Sequence, residues 1–284
     1  MSSNKHTPVL LQQSIEALAI KPGGHYVDAT FGQGGHTRAI LDKGGEVLAI
    51  DADRSQISNI QFPISKEKIY LVEGNYSDIE KIVKESKFDP VDGVLFDLGL
   101  SMRQLSDSGK GFSFKNDAEP LDMRLSDDFE YTAADILRYS SAEDLYEIFA
   151  KYSETLYSQQ FADAVVRTRT INKVETVGEL KRVIDTVLMQ MNYQRSKTEI
   201  YAQIFQALRI AVNQEYQHIR QGLQGSWNII KEGGILAVIT FHSGEDRIVK
   251  LEARKIGFTE VDKPIKGKFK FERSAKLRTY IKNA

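Results

Sequence analysis

Apolar and polar positions change rhythm twice along this chain. In the first hundred residues, short apolar runs at 26–31, 47–53, 69–72 and 91–98 alternate with stretches of helical spacing, and each run ends in polar or glycine-rich residues. Runs of this length closed by turn formers are buried strands, and the helical stretches between them predict parallel strand–helix–strand units. Helices are expected at 14–19, stopped by Pro22-Gly23-Gly24, from about 36 to 42, and from a Ser77 cap to about 85. From 101 to 195 the alternation stops. The segments 141–152, 158–169 and 176–191 are amphipathic at helical period, with Val177, Leu180, Val183, Ile184, Val187, Leu188 and Met191 in one stripe. Ser141 with Asp144 and Thr176 with Glu179 have capping-box spacing. The first rhythm then returns: a long helix over 200–231 ended by Gly233-Gly234, a strand at 235–241, a helix at 245–255, and two last strands near 258–261 and 277–281. The pattern predicts a doubly wound α/β fold with a mainly parallel seven-stranded sheet. Residues 1–100 and 196–284 are expected to form the sheet domain and 101–195 a helical insertion, the expected substrate-recognition domain.

Ligands of such sheets lie outside the carboxyl ends of the strands. Those ends carry Gly32, Gly34 and Gly35, then Asp51, Asn75-Tyr76, Asp97-Leu98-Gly99 and the loop 242–247. Residues 26–36 read Y-V-D-A-T-F-G-Q-G-G-H, a buried strand passing through glycines into a helix. Glycines let a ligand approach the backbone, and a helix N-terminus offers unpaired N–H groups to a carboxylate or phosphate. A dinucleotide fingerprint would need glycine at 37, where Thr37 stands. Asp28 places a carboxylate inside the turn; it would repel a pyrophosphate and attract the ammonium and sulfonium of S-adenosyl-L-methionine (SAM). Asp51, about 20 residues past the first glycine, suits the ribose hydroxyls. SAM is favoured over a nicotinamide dinucleotide, and an oxidoreductase on the same sheet is the competing reading.

Composition narrows the classes. The chain has 284 residues, 41% of them hydrophobic, enough for a real core. No apolar run approaches the roughly 18 residues of a membrane span and no signal-peptide pattern opens the chain, so a cytoplasmic protein without membrane partners is expected. The absence of cysteine excludes disulfides, thiolate zinc sites and a cysteine nucleophile, and no metal is expected. A net charge of −1 leaves nucleic-acid binding to local patches. Residues 263–278 hold seven Lys or Arg against one Glu, with Phe269 and Phe271 among them. This is either a solvated face or an RNA-facing patch. The segment 6–11 (H-T-P-V-L-L) reads as an extended strap over the core or as a lid on the cofactor side. His25 and His218 are expected at the surface.

Several strings together resemble the bacterial 16S ribosomal RNA cytosine-N4 methyltransferases (RsmH, formerly MraW). They are H-T-P-V-L-L, Y-V-D-A-T-F-G-Q-G-G-H, D-G-V-L-F-D-L-G (92–99), G-F-S-F (111–114), P-L-D-M-R (120–124), F-Q-A-L-R-I (205–210), F-H-S-x-E-D-R-I-V-K (241–250) and R-S-A-K-L-R (273–278), in the family's order across nearly the whole chain. The resemblance implies a class I SAM-dependent methyltransferase with a helical insertion. Cofactor contacts carry over to Gly34, Gly35, His36, Asp51, Tyr76, Asp97 and Gln104, beside Asp28 and Gly32 from the loop itself. It implies N4-methylation of a cytosine in the decoding region of 16S ribosomal RNA, with S-adenosyl-L-homocysteine as product and the small ribosomal subunit as partner; a homodimer is left open. The chain departs from the family at 97–106, at 199–203 and at Gly244, where the family has leucine, so a paralogue with another RNA target or a non-catalytic RNA-binding factor are the alternatives. Methylation at carbon 5 needs a cysteine adduct, which this chain cannot form. Asp97, or carbonyls beside it, is the candidate acceptor for the amino proton. Phe112 and Phe114 either stack a flipped base or belong to the core of the insertion, and Arg124, His242, Ser243 and Arg247 are placed on phosphates.

Overall fold

The computed structural model describes residues 8–58, 68–100, 104–105, 108–126 and 128–283. His6, at the start of the expected strap, lies outside them, as does most of the altered loop at 101–106. The chain forms two compact units, Met1–Gly99 with Tyr216–Ala284, and Leu100–Glu215.

The first unit is built on one sheet. Its strands are β1 (His25–Asp28), β2 (Glu46–Asp51), β3 (Ile69–Glu73), β4 (Val91–Asp97), β5 (Ile230–Thr240), β6 (Thr259–Glu260), β7 (Ile265–Lys266) and β8 (Lys276–Ile281). The order is β3-β2-β1-β4-β5-β8-β6, with β7 also on β8. The first five pair in parallel, Val27 opposite both Leu48 and Val94, while β8 runs antiparallel to β5, β6 and β7. The described strands number eight rather than seven; the addition is the two-residue β7, too short for a periodicity signal. Val27, Leu48, Ile50, Val94 and Leu95 are fully buried. That is why these central strands read as continuous apolar runs: helices cover both faces of a parallel sheet.

Helix α1 (Leu11–Leu18) precedes β1, and α2 (Gly35–Asp42), α3 (Arg54–Ser58) and α4 (Ile79–Glu85) fall between the early strands. A 3₁₀ turn at Tyr76–Asp78 precedes α4, and its cap is Asn75, whose Oδ1 accepts from the Ser77 N–H at 2.9 Å, rather than Ser77 itself.

The second unit is helical: α5 (Ala133–Tyr139), α6 (Ala142–Tyr152), α7 (Ser158–Arg169), α8 (Val177–Gln190) and α9 (Lys197–Val212). Both expected capping boxes form, and a third, Thr132 with Asp135, starts α5, a helix too short for its period to show in the sequence. The long helix expected over 200–231 is two helices, α9 and α10 (Glu215–Ile229), parted at Asn213 and Gln214, where Gln214 takes φ +49°. The buried Asn213 side chain accepts from the Leu125 N–H at 2.8 Å and donates to the Met123 carbonyl at 2.8 Å, so it serves tertiary contacts. Ile200, Ile204, Phe205, Ala207 and Leu208 of α9 join Phe149, Phe161, Leu180 and Ile184 in one core. The boundary expected at 195 therefore falls about 20 residues later, after Glu215, because α9 packs with the helices. The last helix, α11 (Ser243–Ile256), follows β5.

Candidate functional site

The carboxyl ends of β1, β2 and β4 converge on the glycine loop. Its backbone is laced to both neighbouring strands, Ala29 N–H donating to the Leu95 carbonyl and Phe31 N–H to that of Ile50, each at 2.9 Å. Gly32 and Gly34 take φ of +53° and +72°, a conformation that L side chains disfavour, and Gly34 caps α2. Gly35 is required for a different reason: a Cβ there would stand 2.1 Å from Cγ of Pro8. The described part of the strap thus lies on the glycine loop as well as over the core.

Asp28 is only 1% exposed, and its Oδ2 accepts from the Thr37 hydroxyl at 2.6 Å while Oδ1 accepts from the Thr30 N–H at 3.3 Å. Thr37, the residue that breaks the dinucleotide fingerprint, staples the end of β1 to α2 through Asp28. Both carboxylate oxygens of Asp28 are thus taken up by Thr30 and Thr37. Burial raises its pKa, with the nearby His36 opposing. Asp51 accepts from the Gly32 N–H through Oδ2 at 2.7 Å and from the Asp53 N–H through Oδ1 at 2.8 Å. Burial still pushes its carboxyl up to about 6, helped by the charges of Asp53 and Asp28.

Asp97 ends β4, where its N–H donates to Oγ1 of Thr30 at 2.6 Å. Burial pushes its carboxyl up to about 6; His36 and the Gly99 N–H pull down, Asp28 and Glu245 push up. Among the described residues its buried Oδ1 finds no hydrogen-bond partner, while Oδ2 stands 3.9 Å from Nδ1 of His36. The other ring nitrogen of His36 lies 3.2 Å from the Val9 carbonyl. A carbonyl only accepts, so Nε2 carries a hydrogen and donates to Val9, and Nδ1 is the nitrogen that faces Asp97.

Tyr76 sits edge-on to Phe96 and to His218, with centroids 5.5 and 6.4 Å away. His218 is not a plain surface residue: it is half-buried, meets Asn75 Nδ2 at 3.1 Å, and burial lowers its pKa. His25 is also half-buried, stacked on Phe88 at 4.6 Å. At the end of β5, buried Glu245 accepts from the Phe241 N–H at 2.7 Å through Oε2, and its Oε1 lies 3.0 Å from Nε2 of His242. His242 caps α11, so it is held within the fold rather than presented to phosphates. Ser243 and Arg247 are exposed on α11. Tyr216 explains Gly244, since its hydroxyl stands 1.8 Å from where a Cβ would be.

In the helical unit, Phe112 is 7% exposed and belongs to the core, which leaves no face for stacking a base. Phe114 is half-buried against Tyr201 and Phe205, both 5.9 Å away. Arg124 is spent on its own loop: Nε and Nη2 donate to the Asp122 carboxylate at 2.8 and 3.0 Å, and Nη1 to the Phe129 carbonyl at 3.0 Å. Gln104 is half-buried, and its carbonyl accepts from the Ser108 hydroxyl at 2.7 Å. The altered segment 199–203 is packing: Ile200 is in the core, and the Tyr201 hydroxyl donates to Asp185 at 2.7 Å.

Around the glycine loop the sheet unit brings together seven of the residues singled out from sequence, Asp28, Gly32, Gly34, Gly35, His36, Asp51 and Asp97, while Tyr76 lies against Phe96, the residue before Asp97. Sequence reasoning missed Thr30, Thr37, Val9 and Glu245 as their supports; only Thr37, as the misfit in a glycine pattern, left a signal. Three mutually repelling carboxylates with raised pKa, one orphaned acceptor and an open glycine backbone fit a ligand that carries positive charge and a nucleoside.

A mainly parallel sheet in this order, with a glycine loop after its first strand and carboxylates at the next strand ends, is that of a class I SAM-dependent methyltransferase. The chain belongs to the MraW methylase family, which it matches over residues 3–280, and its cofactor is SAM. It is similar to the ribosomal RNA small subunit methyltransferase H of Clostridium botulinum (strain Loch Maree / Type A3), 39% identical over 264 residues, covering 92% of this chain and 83% of that one. The proteins of the same name from Thermomicrobium roseum and Bacteroides fragilis are 41% and 40% identical, over 87% and 86% of this chain and 76% and 79% of theirs. No described helix is long and apolar enough to cross a membrane.

Proposed function

We propose that this methyltransferase acts on ribosomal RNA of the small subunit, at the exocyclic 4-amino group of a cytosine in the decoding region. The observation that carries the choice of atom is the buried Oδ1 of Asp97, an acceptor at the end of β4 without a partner among the described residues. The relatives' names support the choice of RNA. SAM, when bound, supplies an electrophilic methyl group.

What the protein must add is alignment and a place for a proton, because transfer to nitrogen is an in-line displacement. A cytosine amino group is a poor nucleophile, since its lone pair is delocalised into the ring, and it sheds a proton as it is alkylated. An ionised Asp97 can accept a hydrogen bond from that amino group, localise the lone pair and take the proton. His36, 3.9 Å away, lowers the cost of the charge on Asp97. Gly32, Gly34, Gly35 and Asp51 are assigned to the cofactor, with Asp51 on the ribose and Tyr76 beside the base. Asp28 contributes through its field. Gln104, Ser243 and Arg247 are assigned to cofactor and RNA on the family resemblance alone. The chain's lack of cysteine closes the route to carbon 5.

The test is tritium transfer from labelled SAM to small ribosomal subunits from cells lacking the protein, followed by nucleoside mass spectrometry. N4-methylcytidine is expected; label on any other nucleoside, or none, overturns the assignment.

A further inference from the structure

The basic segment near the C-terminus divides into two parts in the structure. Lys276 and Arg278 are not available to a partner. Arg278 is buried and donates to both oxygens of Asp246, at 2.7 and 3.1 Å, and Lys276 donates to Asp246 at 2.9 Å. Burial disfavours charge on Asp246, but these two cations outweigh it and lower its pKa. Lys263, Lys266, Lys268 and Arg273 are exposed, and none of them pairs with a described carboxylate.

Among these cations stand two aromatic rings in water. Phe269 is 64% exposed and Phe271 56%, and their planes lie within 6° of parallel with centroids 5.8 Å apart. The 3₁₀ turn Lys270–Glu272 that carries them is held from below. Glu272 is 4% exposed, and its Oε1 accepts from the Leu10 N–H at 2.9 Å. Gly267 passes so close that a Cβ there would stand 2.1 Å from the Glu272 carbonyl oxygen. The turn that carries the rings is thus held in place while their faces are left hydrated, which costs stability without a ligand.

We propose that Phe269 and Phe271, with Lys266, Lys268 and Arg273 around them, form a stacking platform for unpaired bases of RNA. Flat apolar faces in a segment whose exposed cations at 266, 268 and 273 have no described carboxylate partner match a strand whose bases are exposed and whose backbone is anionic; an apolar protein surface would leave those cations without partners. The turn also connects to the glycine loop, since Leu10 adjoins Val9, whose carbonyl holds His36. This inference rests on the RNA reading above and adds to it the surface that grips the strand.

The experiment is fluorescence anisotropy of a labelled 12-nucleotide oligouridine with the full-length protein, at several salt concentrations, beside a duplex RNA of equal length. The wild type is expected to prefer the single strand. F269A/F271A should weaken single-strand binding roughly tenfold or more with an unchanged salt slope, and F269L/F271L should do the same because leucine keeps bulk without a π face. K266E/K268E should lower the salt slope by about two. SAM affinity, measured on each variant, should stay at the wild-type value and reports that the unit is folded. If the alanine and leucine variants bind the strand as the wild type does, the platform is overturned while the RNA reading stands. If they bind naked RNA normally but lose intact subunits, the rings dock protein instead and the inference fails. A wild type that binds no RNA and transfers no methyl group overturns both.

Discussion

Asp97 is a carboxylate whose acidity is set by burial and only partly relieved by a histidine. Its pKa, raised from 3.8 to about 6, makes two outcomes expected. Asp97→Asn should lose methyl transfer by orders of magnitude while SAM affinity changes only a fewfold; an equal loss of both would reduce Asp97 to a binding residue. The same substitution should stabilise the protein near neutral pH. A group whose folded pKa is raised favours the folded state while protonated, so its contribution is complete below pH 3.8 and is lost as pH rises through about 6. The shift corresponds to roughly 2 kcal/mol after discounting for water, because the side chain is 24% exposed. Urea melts of the cofactor-free wild type and variant should therefore diverge between pH 4 and 6 and run parallel above, and no divergence would mean that the carboxylate has a partner. Asp51 shares the window, so the difference between the two proteins isolates Asp97.

At the scale of elements, what positions the site is the strap, the glycine loop and the C-terminal turn held to one another. Pro8 lies on Gly35, the Val9 carbonyl holds His36, and the Leu10 N–H reaches Glu272. Gly35→Ala would drive a methyl into Pro8, and overpacking of this kind costs about 1–3 kcal/mol. The strap is expected to lift instead of the loop yielding, because the loop is bonded to β2 and β4 through Phe31 and Ala29. Calorimetric SAM affinity should fall, and hydrogen exchange at Leu10 should rise in the same variant. Wild-type protection at Leu10 would show that the strap is not held through this contact. Element identities were largely legible in the residues. β2, β4 and the helices Ser158–Arg169 and Val177–Gln190 stand within a residue or two of expectation, because long apolar runs and capping boxes are local signals, and β1 ends three residues before the run at 26–31 does. The break between α9 and α10 was not legible, since Asn213 ends its helix for the sake of Met123 and Leu125, about 90 positions away in the chain.

For the whole molecule the organising fact is two cores. The helical unit buries Leu121, Met123, Phe149, Phe161, Leu180, Ile184 and Leu208 together, and the sheet unit buries Leu10, Tyr26, Phe31, Ile40, Leu95 and Ile239. A contiguous segment with a core of its own should fold when excised. Residues 100–215 are expected to give a helical circular dichroism spectrum and a cooperative melt, whereas a fragment ended at 195 should not, because it lacks α9. A cooperative melt of the shorter fragment would show that α9 is dispensable to that core.

Strand ends, the glycine loop and the class of cofactor could be read from residue order alone, because each depends on neighbours within a few positions: a run, a turn, a cap. Which charges remain free could not. Arg124, Arg278 and His242 look like phosphate ligands in a string of letters, yet the fold spends them on Asp122, Asp246 and Glu245. Phe112 enters a core while Phe269 stays in water. Such outcomes are set by contacts between residues far apart in the chain, 262 positions for Leu10 and Glu272. Only the packed tertiary structure decides whether a polar or aromatic side chain is consumed by its own protein or left for a ligand.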